Sequence, residues 1–279
     1  MKNLSNNKPV LIIGGNGKTG RRVATKLAER NIPSRIASRS AATVFDWNNE
    51  STWAAAIEGT SAVYITYQPD LAVPGAVETI QAFTDTALKL GVSRLLLLSG
   101  RGEEEAQRAE RVLQQSAAEW TIVRASWFAQ NFSESFLMDG IIAGHVAVPA
   151  HSAKEPFIDI DDIADVVIAA LMNPFHIGKL YEVTGPRLMS FAEAVAEIAS
   201  ATNRDITFQQ LPPEQYAALA KSHGVPEEMI SLMMYLFTTV LDGRNEYVCT
   251  GIEEALERPA TDFTAYAKAV AASGVWEEQ

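Results

Sequence analysis

Val10-Leu11-Ile12-Ile13-Gly14-Gly15-Asn16-Gly17-Lys18-Thr19-Gly20 is the stretch on which the fold turns. Four apolar residues run directly into glycines, which reads as a buried strand ended by a tight turn. Over residues 18–30, Val23, Ala24 and Leu27 then share one helical face. Strand, glycine turn and helix in that order give the glycines a meaning. Lacking Cβ atoms, they admit a tight turn and close approach of backbone to a pyrophosphate. The helix N-terminus turns N–H groups and a positive dipole end toward the same place. The pattern reads as G-x-G-x-x-G from Gly15 or as G-x-x-G-x-x-G from Gly14. Gly14, Asn16, Gly17, Lys18, Thr19 and Gly20 are therefore candidate dinucleotide-binding residues. Gly17-Lys18-Thr19 also mimics the end of a nucleoside-triphosphate loop. That motif needs a glycine five positions before Gly17, and Ile12 stands there.

The context outward from this stretch is regular. Residues 34–38, 62–66, 94–99 and 120–124 read as strands. Between them, residues 73–90 carry Ile80, Phe83, Ala87 and Leu90 at helical spacing, with Gly91 as a left-handed cap. Residues 103–118 form a further helix. Such alternation predicts an α/β fold, a Rossmann-like doubly wound parallel sheet with helices on both faces. Past Arg124 the rhythm breaks. Asp159-Ile160-Asp161-Asp162 opens a helix bearing Ile163, Val166, Val167, Ala170 and Leu171, its acids placed as helix caps. A strand follows at 180–183, then a capping box from Ser190 to Glu193. A short strand at 206–209 precedes helices at 212–220, 226–238 and 260–270. The expected organisation is a dinucleotide-binding domain over 1–150, rejoined by 157–186, and a smaller, mostly helical substrate lobe over 187–279.

Composition narrows the classes. At 279 residues and 47% hydrophobic, the chain can bury one large core plus a small lobe. Its net charge of −11 repels phosphate backbones, which argues against nucleic-acid partners. No run is long enough to span a bilayer, and the polar Met1–Lys8 has no leader pattern. The single Cys249 suits a reducing compartment, so a cytoplasmic monomer or homodimer acting on a small molecule is expected. His145, His151, His176 and His223 lack metal-ligand spacing, and no metal is expected. Glu103-Glu104-Glu105 and Glu277-Glu278 read as solvated ends.

The end of the second strand selects the dinucleotide. An NAD site usually has an acid there for the ribose 2′-hydroxyl. Here it reads Ala37-Ser38-Arg39-Ser40, with no carboxylate. An arginine flanked by hydroxyls fits a 2′-phosphate through charge-assisted hydrogen bonds, so NADP(H) is the expected cofactor, held by Ser38, Arg39 and Ser40. Asp46 lies later and is placed to face the adenine. The usual Tyr-x-x-x-Lys proton relay is absent. Four positions after Tyr64, Tyr67, Tyr181, Tyr216, Tyr235, Tyr247 and Tyr266 stand Gln68, Leu71, Gly185, Ala220, Thr239, Gly251 and Val270. Ketone reduction needs an acid for the developing alkoxide. Hydride arrival on an iminium ion only neutralises it, and a quinone takes protons from water with less help.

Together these segments resemble the NmrA-like group of atypical short-chain dehydrogenases/reductases. The likeness rests on the glycine turn, Ala37-Ser38-Arg39-Ser40, Phe45-Asp46-Trp47, Val123-Arg124-Ala125-Ser126-Trp127-Phe128-Ala129-Gln130-Asn131-Phe132 and Phe157-Ile158-Asp159-Ile160-Asp161-Asp162-Ile163-Ala164. Within that group the chain most resembles festuclavine/agroclavine dehydrogenases and NADPH quinone reductases. The resemblance implies that the turn Thr66-Tyr67-Gln68-Pro69 touches the cofactor and that Ser99-Gly100-Arg101 lies beside the nicotinamide. It also implies that Trp127–Phe132 borders a substrate cleft. Tyr67, Ser99, Trp127 and Asn131 are thus cleft candidates, with the catalytic residue itself unassigned. Relatives that reduce phenylpropanoid double bonds have a lysine in the helix after the fifth strand. Ala106-Gln107-Arg108 stands there, so that activity is not carried over. Arg124-Ala125 also departs from the group's Arg-Pro.

Two readings follow. One is an NADPH-dependent oxidoreductase passing hydride to an iminium, quinone or similar acceptor. The other is a non-catalytic NAD(P)-binding redox sensor acting through a protein partner.

Overall fold

The computed structural model describes residues 8–150 and 152–277. The polar lead-in before Lys8, His151 and Glu278 lie outside them. In chain order the strands are β1 Val10–Ile13, β2 Ser34–Ser38, β3 Thr43–Val44, β4 Ala62–Ile65, β5 Arg94–Gly100, β6 Glu119–Ala125, β7 His145–Val148, β8 Lys179–Val183 and β9 Thr207–Gln210. The helices are α1 Lys18–Glu29, α2 Trp53–Ile57, α3 Ala76–Lys89, α4 Glu104–Gln115, α5 Met138–Ile142, α6 Ile160–Met172, α7 Phe191–Thr202, α8 Pro213–Ser222, α9 Glu227–Tyr235, α10 Gly251–Leu256 and α11 Phe263–Ala272. The chain divides into two compact units. One runs through Ala125 and adds Ile160–Val183 and Thr250–Arg258; the other holds Ser126–Asp159, Thr184–Cys249 and the chain from Pro259.

In the first unit seven strands form one sheet in the order β3-β2-β1-β4-β5-β6-β8. Every pairing is parallel. The chain moves outward from β1 to β3, then crosses to β4 and moves outward the other way. The doubly wound fold expected of the alternation is therefore the fold observed. Such sheets are covered on both faces, and all four residues of β1 are buried. Leu11, Ile13, Val63, Ile65, Leu95 and Leu97 point to one face, against Trp53, Phe83, Ala106 and Leu113 of α2–α4. The capping groups are local. Gly91, with φ of +78°, ends α3 as expected.

Arg94 pins three elements at once. Its guanidinium donates to the carbonyls of Glu119 at 2.7 Å and Ala170 at 2.6 Å, and to Thr121 Oγ1 at 3.0 Å. Burial pushes it down to about 10, while the Glu119 charge works the other way. Three hydrogen bonds to one buried cation offset its desolvation.

The second unit is built around aromatic residues. Phe132, Phe157, Phe191, Phe237, Phe263 and Trp276 are all buried in its core. Ser190 and Glu193 form the expected capping box at the start of α7. Residues 145–148, unassigned from the sequence, pair with β9 in a two-stranded parallel sheet. One expectation is corrected here. The helix expected over 226–238 stops at Tyr235 and widens into a π turn over Leu236–Val240. That turn lets Phe237 and Val240 both face the core.

Candidate dinucleotide site

In an open parallel sheet, ligands bind beyond the carboxyl ends of the strands, where the winding direction reverses. Here the reversal falls between β1 and β4. Gly14 follows β1 and Thr66 follows β4, and the two meet. Thr66 Oγ1 donates to the Ile13 carbonyl at 2.9 Å. Gly14 takes a φ of +68°, a left-handed conformation that a Cβ disfavours. A Cβ on Gly14 would also collide with Thr66 Oγ1. Gly17 closes the turn, its N–H donating to the Gly14 carbonyl at 2.8 Å. A Cβ on Gly20 would strike that same carbonyl and lie 2.7 Å from Gly15 Cα. At Gly14 and Gly20 a Cβ would meet the protein's own atoms, so glycine there lets the turn, α1 and the end of β4 close on one another.

The helix that follows is prepared for an anion. Gly17 is its N-cap and offers no side-chain cap, and its first turn contains no acid. No carboxylate in that turn competes for its amides. Asn16 Nδ2 donates to Ser38 Oγ at 3.1 Å, and the Gly14 N–H to the Ala37 carbonyl at 2.9 Å. The glycine turn and the end of β2, twenty-odd residues apart, are thus fastened together. Ser38 Oγ also accepts from the Ser40 N–H at 3.3 Å. Arg39 and Ser40 are exposed, and among the described residues Arg39 has no ion-pair partner.

Beside these segments lies an aromatic wall. Trp47 Nε1 donates to the Thr66 carbonyl at 3.1 Å, and its ring lies 5.0 Å from that of Tyr67. Phe45, Trp53 and Phe83 complete the cluster. Asp46 is half-buried. Its carboxylate accepts from the Asn48 N–H at 3.0 Å, and its carbonyl accepts from Trp53 Nε1 at 2.9 Å, which fixes the loop carrying Trp47. Ser99, near the end of β5, is 4% exposed, and among the described residues its hydroxyl has no partner. At the carboxyl end of β5 that hydroxyl is available to a polar group of a ligand.

The first unit therefore brings together Gly14, Asn16, Gly17, Lys18, Thr19, Gly20, Ser38, Arg39, Ser40, Asp46 and Tyr67, with Ser99 two strands on at the same sheet edge. Trp127 and Asn131 belong to the second unit. Trp127 packs on Phe191 and Phe237 at 5.3 and 5.1 Å, and Asn131 sits in a 3-10 turn over Ala129–Phe132. Sequence reasoning missed one group. Glu103, expected at a solvated helix start, is only 7% exposed and bonds to Asp70. The expectation fails because β5 runs on to Gly100 and folds Glu103 back over it. Among the described residues no cluster of His, Cys, Asp or Glu is placed to hold a metal ion, and no helix is long and apolar enough to cross a membrane.

A family profile described as NAD(P)H-binding matches residues 14–174, more than half the chain. The chain belongs to the NAD(P)H-binding family. It is 28% identical to an agroclavine dehydrogenase of Claviceps fusiformis, over 88% of this chain and 91% of that one. Its fold matches the NADPH-dependent quinone oxidoreductase of Escherichia coli solved with NADPH, with a TM-score of 0.77 at 19% identity, covering 94% and 99% of the two chains. It also matches NmrA, a negative transcriptional regulator solved with NAD, with a TM-score of 0.68 at 14% identity over 96% and 97%. The fold is NmrA-like, as the sequence motifs implied.

Proposed function

We propose that this protein is an NADPH-dependent reductase whose acceptor, an iminium ion, a quinone or a similar small molecule, needs no strong protein acid. The observation that carries the reading is the bond from Asn16 to Ser38. It locks the anion-ready start of α1 beside Arg39, whose guanidinium is exposed and has no ion-pair partner among the described residues. One face then offers amides for a pyrophosphate and a planar cation with flanking hydroxyls for a 2′-phosphate. The glycine turn sets backbone rather than side chains before α1, whose first turn has no acid, which fits the group, and Ser99 supplies a hydroxyl at the inner end of the same edge.

Bound NADPH supplies a hydride. The chain's own part is placement. Thr66 holds the turn after β4 against β1, Trp47 braces Thr66, and Tyr67 presents an aromatic edge. The first unit is the cofactor-binding part and the second the substrate lobe in this reading, with Trp127 and Asn131 on its side. The missing Tyr-x-x-x-Lys relay fits the proposed acceptors. No tyrosine buried in the first unit replaces it. Tyr64 is fully buried, burial pushes its hydroxyl far above the ordinary range, and the Tyr181 hydroxyl is engaged by His176 at 2.7 Å.

Arg39→Ala is expected to weaken NADPH binding by about 10- to 100-fold, the 1.5–3 kcal/mol of hydrogen bonds to a charged group. NADH binding should change little, and fluorescence titration of both nucleotides measures this. Equal losses would contradict the 2′-phosphate assignment. For the reaction, quinones and cyclic iminium compounds are expected to accelerate NADPH oxidation, and simple ketones not. Should no acceptor do so while both oxidation states bind tightly, the protein is a non-catalytic NAD(P) sensor instead.

A further inference from the structure

Asp70 and Glu103 are not used in the function proposed above. Glu103 immediately precedes α4, and its carboxyl lies over Gly100, where a Cβ would collide with both of its oxygens. Asp70, in the loop after β4, hydrogen-bonds it side chain to side chain, and also accepts from the Ala72 N–H at 2.9 Å. Ionised carboxylates only accept hydrogen bonds, so a carboxyl–carboxyl bond requires a proton between them. Among the described residues no cation pairs with either group. The other charges nearby are committed elsewhere: Glu110 on α4 to Arg124 of β6, and Arg101 to Glu182 of β8 at 2.7 Å. Burial, then the Asp70 charge, pushes Glu103 well above the carboxylate range, with Glu110 adding to it. Burial raises Asp70 as well.

We propose that Asp70 and Glu103 share one proton at neutral pH and act as a positioning pair. They tie the loop after β4, which carries Thr66 and Tyr67, to the segment that follows β5, the strand carrying Ser99. The link to the cofactor rests on the function proposed above; the shared proton does not. Both groups titrate higher in the folded chain than in the unfolded one. Stability from the pair is therefore full below an ordinary carboxylate pKa of about 4 and is lost as pH rises toward the raised values. Ionising both sets two charges against each other between the loops. NADPH affinity then falls by up to about tenfold per pH unit.

Three measurements test this. Infrared spectra of the cofactor-free protein at neutral pH should show the C=O stretch of a protonated carboxyl, lost in both Glu103→Gln and Asp70→Asn. Its absence from the native protein, or its survival in both variants, overturns the shared proton. Thermal unfolding between mildly acidic and alkaline pH should show a falling Tm in the native protein and a flatter profile in Glu103→Gln, whose amide donates permanently to Asp70. Equal slopes overturn the positioning role. NADPH titrations are read above neutral pH, where the 2′-phosphate, with a second pKa of about 6, no longer titrates. Affinity should fall with pH in the native protein and hold steady in Glu103→Gln, and parallel losses overturn the link to the cofactor. If NADPH binds at no pH, the cofactor reading fails, while the infrared and unfolding results still decide the pair.

Discussion

Gly20→Ala is expected to weaken NADPH binding by about 100-fold, roughly 2.7 kcal/mol. The reason is steric and falls on backbone. The added methyl would strike the Gly14 carbonyl and lie 2.7 Å from Gly15 Cα. A side chain in that position could rotate away; a carbonyl in a closed turn cannot. The turn would have to open, and the 2.8 Å bond from Gly17 N–H to Gly14 O would go with it. Opening it also pulls Asn16 from Ser38, so both halves of the proposed anion site are lost together. Stability should fall as well, by about 1–3 kcal/mol for an overpacked site. Gly17→Ala is a graded control. Its Cβ would lie 3.1 Å from the Gly14 carbonyl, tight but open to small adjustment. A milder loss is expected, and the order Gly20→Ala worse than Gly17→Ala is what a cofactor titration should return. Native-like affinity in Gly20→Ala would mean that the pyrophosphate does not lie on this turn.

Much of this site was legible in the sequence because its signals are local. A glycine run between a strand and a helix signals a turn that can cradle phosphates, and Ser38-Arg39 can be read without knowing the tertiary structure. The strand–helix alternation that predicts a doubly wound parallel sheet is equally local, since each element carries its own periodicity. What could not be read depended on contacts between distant segments. Glu103 looks solvated in a run of three acids. Only the extension of β5 to Gly100 and the arrival of Asp70 from the loop after β4 bury it. The strand over His145–Val148 is short and its partner is more than fifty residues away, so no hairpin signal announces it. Asp162 looks like a helix-capping acid, as placed. It is 1% exposed and bonds to Arg258 at 2.7 Å, which only the return of the chain as α10 explains. The resemblance implies a cleft border over Trp127–Phe132, and packing separates its members. Phe132 is wholly core, packed on Phe157, Phe191 and Phe263, and Trp127 is half-buried.

Arg124→Met should destabilise the first unit by about 3–5 kcal/mol, the cost of leaving a buried charge unpaired. Arg124 stands on β6 between two carboxylates. It donates to Glu110 through Nε at 2.9 Å and again through a short second bond, and to Glu182 at 3.1 Å. Glu110 is 1% exposed and depends on this guanidinium. Its hydrogen bonds, first among the causes, hold Arg124 above the ordinary arginine range. Glu182 fares better after the substitution, because Arg101 still holds it. The loss therefore falls on Glu110, and Glu110→Gln should recover part of it. In urea unfolding, the double variant Arg124→Met with Glu110→Gln is expected to be more stable than Arg124→Met alone. Losses that simply add would show that the two residues are not coupled. The register explains why the chain keeps so costly an arrangement. Ser99, Arg124 and Glu182 lie side by side on β5, β6 and β8. A hydrophobic replacement would pack there without strict geometry, whereas a bidentate guanidinium accepts only one alignment of the three strands. That alignment sets where β5 ends, and with it the position of Ser99 and the turn of chain that brings Glu103 over Gly100. Loosening Arg124 should therefore also weaken NADPH affinity, although no atom of Arg124 belongs to the proposed cofactor site.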